Sequence, residues 1–162
     1  MTAPDKQPRH IAKTGVLPRP PALKHIARLD TLQRIALERN GVTAREVMAL
    51  QKSLGLPDAA MQTILGVSHA IWTRRTADGG KQGVFNGASG HAAIALYLLR
   101  EEVRKTTAPW PEGFTPDKWL GRWLQEAARA LGGFAPAALM STPTGQDTVQ
   151  RLYLSCIGGA YW

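Results

Sequence analysis

The stretch AAMQTILGVS, residues 59–68, most directly indicates how this chain folds. Its apolar residues recur at helical spacing, which predicts a helix with one buried face over about residues 58–65. The glycine at position 66 lets the chain reverse with a positive backbone angle. Ser68 then caps a second helix over about residues 69–77. A helix, a glycine turn and a capped helix in this order predict a helix-turn-helix.

The second helix of such a motif lies in the major groove of DNA, with its N-terminal residues facing the base edges. The residues expected to meet DNA are Ser68, His69, Trp72, Thr73, Arg74, Arg75 and Lys81. Among them Ser68 and Arg74 suit phosphate, because hydroxyl and guanidinium groups donate to its oxygens. Gln62 departs from the motif, which usually has a small residue where its two helices approach. The departure leaves open a shifted register or a motif that no longer binds DNA.

Helical patterns continue on both sides of this motif, and no strand of useful length is predicted. The further helices are expected over about residues 28–39, 43–54, 90–105, 116–131, 136–141 and 145–157. Thr43 and Glu46 form a capping box, Asp58 and Ser89 are possible caps, and Thr115 before Pro116 starts a helix. The predicted fold class is all-α: a helix-turn-helix bundle followed by a small helical domain.

Charge divides the chain more sharply than its net value of +8 suggests. Residues 1–105 contain sixteen Lys or Arg and eight Asp or Glu, whereas residues 106–162 contain four of each. A basic part joined to a neutral part is typical of a polyanion-binding unit fused to a unit with another role. A solvated basic surface explains the charge alone equally well.

Four segments follow from this division. We expect a basic, proline-rich flexible arm over residues 1–27, a helix-turn-helix DNA-binding domain over 28–105, a linker over 106–115 and a second domain over 116–162. The arm carries basic residues that suit contact with phosphate: Lys6, Arg9, Lys13, Arg19 and Lys24. It equally suits a plain disordered tail, since proline and low hydrophobicity argue against packing.

Several classes of protein are not expected. No apolar run approaches the roughly 20 residues that span a bilayer, and no signal peptide is recognisable, so we expect a cytoplasmic protein. The four histidines are scattered without metal-ligand spacing, and Cys156 lies on an apolar stripe, where a structural thiol is the commoner role. We therefore expect no metal, no cofactor, no small-molecule substrate and no enzymatic activity.

The C-terminal part carries a more specific pattern. ALGGFAP at residues 130–136 and LMST at 139–142 precede an apolar helix and a Gly-x-Tyr ending at Tyr161. This order of elements is similar to the toxin-binding domain of the Xre/MbcA/ParS antitoxins, over roughly residues 116–162. The upstream region, with LGVS at 65–68 and Arg74-Arg75, resembles the helix-turn-helix half of the same family.

The resemblance implies an antitoxin encoded beside a RES-domain toxin, which consumes NAD by degradation or by ADP-ribosyl transfer. Such an antitoxin caps its toxin and represses its own operon by binding operator DNA. The residues that the resemblance assigns to toxin binding are Gly132, Gly133, Leu139, Met140, Arg151, Tyr153, Tyr161 and Trp162. Tyr161 and Trp162 either enter a pocket of the toxin or fold back on their own core, whereas Trp119 and Trp123 are expected in the core.

Two alternatives remain at this point. The chain is an antitoxin and autorepressor, or it is a stand-alone transcription regulator whose C-terminal half only dimerises. A homodimer is expected in both cases, because operators are usually two-fold and one helix-turn-helix makes few base contacts.

Overall fold

The computed structural model describes residues 22–106 and 111–158. Its elements, in chain order, are a 3₁₀ turn (Leu23–Arg28), α1 (Thr31–Asn40), β1 (Val42–Thr43), α2 (Ala44–Leu54), α3 (Asp58–Leu65), α4 (His69–Gly80), β2 (Val84–Phe85), α5 (Gly87–Lys105), α6 (Pro116–Trp123), two 3₁₀ turns (Arg129–Leu131 and Pro136–Leu139) and α7 (Pro143–Ile157). The two short strands pair antiparallel, with Val42 opposite Phe85. The all-α prediction is confirmed, with this small ribbon as its one addition in the described ranges.

Part of what the sequence predicted lies outside the described residues. This concerns most of the basic arm, residues 107–110 of the linker, and both Tyr161 and Trp162. Within the ranges that are described, no helix combines the length and the apolar character needed to cross a membrane.

Local signals place the ends of the helices that build the motif. The backbone N–H of Glu46 donates to the Thr43 hydroxyl over 3.3 Å, and the N–H of Thr43 donates to the Glu46 carboxylate over 3.1 Å, as the predicted capping box requires. Gly66 has φ +63°, in the left-handed region that ends α3. The Ser68 hydroxyl accepts from the N–H of Ile71 over 3.3 Å and caps α4.

Two predicted caps are wrong. Pro57 occupies the N-cap position of α3, and the Asp58 carboxylate instead accepts from the Gln51 side chain over 2.7 Å. Ser89 lies inside α5, which begins at Gly87, and its hydroxyl donates to the carbonyl of Asn86 over 2.9 Å. Each of these side chains bonds another polar group in the fold and does not cap the first turn of a helix.

Several predicted helices differ in their bounds: α5 begins at Gly87 rather than 90, and α7 at Pro143 rather than 145. The first α-helix begins at Thr31 rather than 28, because the Asp30 carboxylate accepts from the N–H of Gln33 over 2.8 Å and caps it there. The helix predicted over 116–131 ends at Trp123, since the Leu124 carbonyl accepts from the N–H of Ala137 over 2.9 Å instead of continuing a ladder. The segment predicted as a helix at 136–141 is a 3₁₀ turn.

One hydrophobic core spans both charge-defined parts of the chain. It joins buried side chains of α2, α3, α5, α6 and α7, among them Leu54, Ile64, Leu96, Leu120 and Val149. Helix α6 lies so close to the end of α2 that a Cβ on Gly121 would meet the Leu54 carbonyl oxygen at 2.0 Å. The 28–105 and 116–162 segments therefore pack as neighbours, and their division into two units stays a prediction about function.

A buried carboxylate also joins the two parts. Asp117, 6% exposed at the start of α6, accepts from Arg100 over 2.9 Å and from Arg104 over 2.7 and 2.8 Å. Burial raises the pKa of Asp117, but the hydrogen bonds from Arg104 and Arg100 outweigh it, so the pKa lies below its usual 3.8. The negative charge of Asp117 thus holds α6 against α5.

Candidate nucleic-acid and protein interfaces

Helix α4 presents a polar outer face. His69, Thr73 and Arg74 are exposed, as is the capping Ser68. His69 and Thr73 lie one turn apart, and the imidazole Nε2 is 3.5 Å from the Thr73 hydroxyl. Four of the residues predicted to meet DNA therefore lie on one accessible surface at and beyond the N-terminal end of α4.

Trp72 is not part of this surface, and its predicted contact with DNA is wrong in this arrangement. The side chain is 3% exposed, and its ring lies 5.8 Å from that of Phe85 on β2. The period of the helix turns Trp72 to the face opposite Arg74, where the β-ribbon covers it.

Arg75 is turned toward the protein rather than outward. Its guanidinium donates to the Ser89 hydroxyl over 3.4 Å and lies 5.2 Å from the centre of the Phe85 ring. This half-buried arginine joins α4 to β2 and α5 by a hydrogen bond and a cation–π contact. Its surroundings favour a structural role over the predicted contact with a base.

A turn after α4 holds the remaining predicted cation. The helical backbone ends at Thr76, since Ala77 is extended and Asp78 and Gly79 are left-handed. The chain then packs so tightly that a Cβ on Gly83 would meet the Arg75 carbonyl oxygen at 1.9 Å. Lys81 is exposed on this turn and lines an open hollow together with Arg74.

In the C-terminal part, two residues assigned to toxin binding are core residues, which corrects that assignment. Met140 and Tyr153 are each 1% exposed. The Tyr153 hydroxyl shares a hydrogen bond with that of Thr106, and its ring packs 6.4 and 6.3 Å from the rings of Trp119 and Trp123. Burial raises the pKa of Tyr153 against the effect of that hydrogen bond. The two tryptophans stack at 5.9 Å and pack half-buried against the core.

Other assigned residues are accessible. Gly132 and Gly133, with φ of +65° and +87°, form an exposed loop that closes through hydrogen bonds between Ala128 and the 133–134 backbone, over 3.0 and 3.1 Å. Arg151 is exposed and pairs with Asp147 over 3.7 Å on the surface of α7. Leu139 is half-buried and packs against the core.

The structure adds three apolar side chains that the sequence did not assign to any surface. Phe134 is 62% exposed, and Leu154 and Ile157 near the end of α7 are 44% and 46% exposed. The large side chains that α7 buries are those of Val149 and Tyr153. Leu154 lies about 100° around α7 from the buried Tyr153. A helical wheel with Tyr153 at the centre of the buried face therefore places Leu154 outside that centre.

Two comparisons with known proteins match the chain. Residues 112–152 match the model of the antitoxin Xre/MbcA/ParS C-terminal toxin-binding domain. A protein of Sphingobium sp. (strain YBL2) named "Prs ADP-ribosylating antitoxin" is 25% identical over 142 residues, covering 88% of this chain and 89% of that protein. The family match includes α6, the 132–134 loop and most of α7, and the relative extends the similarity to the helices before them.

Proposed function

We propose that this chain is an antitoxin of the Xre/MbcA/ParS type, which masks a RES-domain toxin through its C-terminal segment and represses its own operon through α4; the family match and the Sphingobium relative support the antitoxin role. The observation that carries the proposal is the exposed apolar side chain of Phe134 within the segment that matches the toxin-binding domain, together with Leu154 and Ile157, which are exposed shortly after that segment ends. Exposed large apolar side chains within or beside a segment that resembles a partner-binding domain favour contact with another protein, because water is released when they are covered.

The proposed toxin-facing surface consists of Phe134, Leu154 and Ile157, with the 132–133 loop and Arg151 as neighbours in the sequence. Aromatic side chains are enriched at the centre of protein interfaces, where a few well-buried residues supply most of the binding energy. The closed backbone of the 128–134 loop holds Phe134 in place before binding, which lowers the entropy lost on association. Tyr161 and Trp162, which come after α7 and the residues 158–160 in the sequence, belong to the proposal as further toxin contacts.

The activity of the toxin also belongs to this proposal. ADP-ribosylation appears in the name of the Sphingobium relative. That name favours ADP-ribosyl transfer over NAD degradation as the reaction of the toxin that this chain restrains. The antitoxin itself acts by binding alone, as a non-enzymatic cytoplasmic protein.

Operator binding rests on the outer face of α4. In this proposal His69 and Thr73 meet base edges, and Arg74 and Lys81 neutralise phosphate; the exposure of all four side chains supports the assignment. A homodimer would present two such helices to a two-fold operator, about one helical turn of DNA apart.

The experiment is co-purification with the product of the adjacent reading frame, using Leu154→Ser and Phe134→Ser. Leu32→Ser is the matched control, because Leu32 is 56% exposed on α1, in the N-terminal part. We expect the wild-type chain and the control to capture the toxin and rescue growth, and each C-terminal variant to lose affinity at least about 30-fold, the effect of a hot-spot residue.

Equal capture by all four chains would exclude this surface. A wild-type chain that binds its upstream DNA but never captures the adjacent product would instead be the stand-alone regulator.

A further inference from the structure

We propose that Gln62 is a specificity-determining residue, which positions the His69 imidazole for base recognition across the turn between α3 and α4. The inference rests on the proposed binding of operator DNA by α4. It starts from a residue that departs from the usual motif, where a small side chain is expected between the two helices.

The Gln62 side chain reaches out of the helix contact instead of filling it. Its amide Nε2 lies 3.4 Å from His69 Nδ1, and the imidazole Nε2 lies 3.5 Å from the Thr73 hydroxyl. The three side chains form one polar row that runs from α3 onto the outer face of α4.

This row sets the orientation of the imidazole. An amide NH₂ group only donates, so this arrangement of the Gln62 amide assigns His69 Nδ1 as the acceptor and places the ring proton on Nε2, the tautomer that the proposal requires. The Nε2–H is then directed along α4 toward Thr73. Without Gln62 the ring is free to exchange tautomers and to rotate about its side-chain bonds.

Gln62 is also near enough to the proposed DNA surface to take part in it. It is half-buried, whereas His69 and Thr73 are exposed. Its amide has a second N–H and a carbonyl oxygen, the donor and acceptor pair that reads adenine in the major groove. A glutamine at this position therefore fixes the orientation of the His69 imidazole and also brings a second base-recognising group, its own amide, beside it.

The test measures binding to the duplex upstream of the chain's own gene and to a set of its single-base-pair variants. Gln62→Ala and His69→Ala are compared with Gln51→Ala. Gln51 is a matched control, because its amide also bonds a residue of α3, donating to Asp58 over 2.7 Å, but at the other end of that helix.

We expect Gln62→Ala and His69→Ala to lose discrimination at the same base pairs, by about 5- to 150-fold. The slope of affinity against salt should stay unchanged, since neither side chain neutralises a phosphate. Gln51→Ala should keep the wild-type preferences. Thermal unfolding of each variant confirms that it is folded.

A second readout does not need DNA. In the free wild-type chain, the ¹⁵N shifts of the His69 ring should show the proton on Nε2, and Gln62→Ala should move the ring toward a mixture of tautomers.

A folded Gln62→Ala chain that keeps every base preference overturns this inference and leaves operator binding intact. A wild-type chain without sequence preference among the duplexes overturns the proposed operator function, and this inference with it.

Discussion

The outer face of α4 and the exposed side of the C-terminal segment differ in the chemistry of their accessible side chains. On α3 and α4 large apolar side chains such as Ile64, Leu65 and Trp72 are buried, and the exposed residues are small, polar or charged. In the C-terminal segment Phe134 and Leu154 are exposed although they are apolar. The first surface suits a hydrated polyanion, and the second suits a partner that excludes water.

The difference lies on the surface and not in the packing. Both regions contribute to one core, and Asp117 and Gly121 fix α6 directly against the helices that support α4. A chain built in this way offers two chemically distinct faces on one folded unit. Changes at the junction should therefore affect both faces together, whereas changes on either face should affect only that face.

The largest expected effect is at the junction. Asp117→Ala leaves the partly buried Arg100 and the more exposed Arg104 without their carboxylate, which should cost about 3 kcal/mol of the free energy of unfolding. Chemical denaturation should show a single transition shifted as a whole. Asp147→Ala, at an exposed pair, is the control and should change stability little. Separate unfolding of the C-terminal segment would break the idea of one shared unit.

A smaller loss is expected at Gly121. Gly121→Ala places a Cβ against the Leu54 carbonyl oxygen and forces α6 away from α2, at a cost of about 2 kcal/mol. Gly158→Ala is the comparison, because its Cβ would lie 3.3 Å from the nearest atom. Thermal unfolding measures both. Equal stability of the two variants would show that the α2–α6 contact is looser than this packing implies.

Substitution of the two adjacent arginines of α4 should distinguish a residue that contacts DNA from a residue that stabilises the fold. Arg74→Ala removes an exposed charge and should lower the slope of log affinity against log salt by about 0.9, with little change in stability. Arg75→Ala removes the contacts with Ser89 and Phe85 and should lower stability while leaving that slope nearly unchanged. DNA titrations at several salt concentrations measure the slopes. The reverse pattern would mean that Arg75 is the residue that meets phosphate.

The smallest effect concerns pH. Because the pKa of Asp117 is lowered in the folded chain, its charge stabilises the fold fully above its usual pKa of 3.8. The stabilisation is lost as pH falls through the lower, folded value. The stability difference between wild type and Asp117→Asn should therefore be constant near neutral pH and shrink below about pH 4. Denaturation at a series of pH values tests this, and a difference that grows toward acid would contradict the assignment.

Sequence reasoning succeeded where a signal needs only a few neighbouring residues. The Thr43–Glu46 box, the left-handed Gly66 and the Ser68 cap all follow from side chains within four positions of the backbone that they serve. It failed at Asp58 and Ser89, which have the right residue type but a different partner in space.

The candidate surfaces were predictable only in part, because burial is decided by what packs on a helix. The sequence predicted Trp72 and Tyr153 as contact residues. In the fold, Trp72 packs against Phe85, and Tyr153 packs against the Trp119–Trp123 stack. Nothing in the sequence marked Leu154 as exposed, because the fold decides which residues of α7 form its buried stripe.

By itself, the sequence determined the helical class, the turn that joins α3 to α4, the separation of charge along the chain and the resemblance to an antitoxin family. Each depends on composition or on local order. The tertiary structure alone decided that Arg75 is turned inward, that Asp117 joins the two parts and that Phe134 is exposed. These outcomes depend on residues far apart in sequence, whose proximity is set by the packing of the whole core.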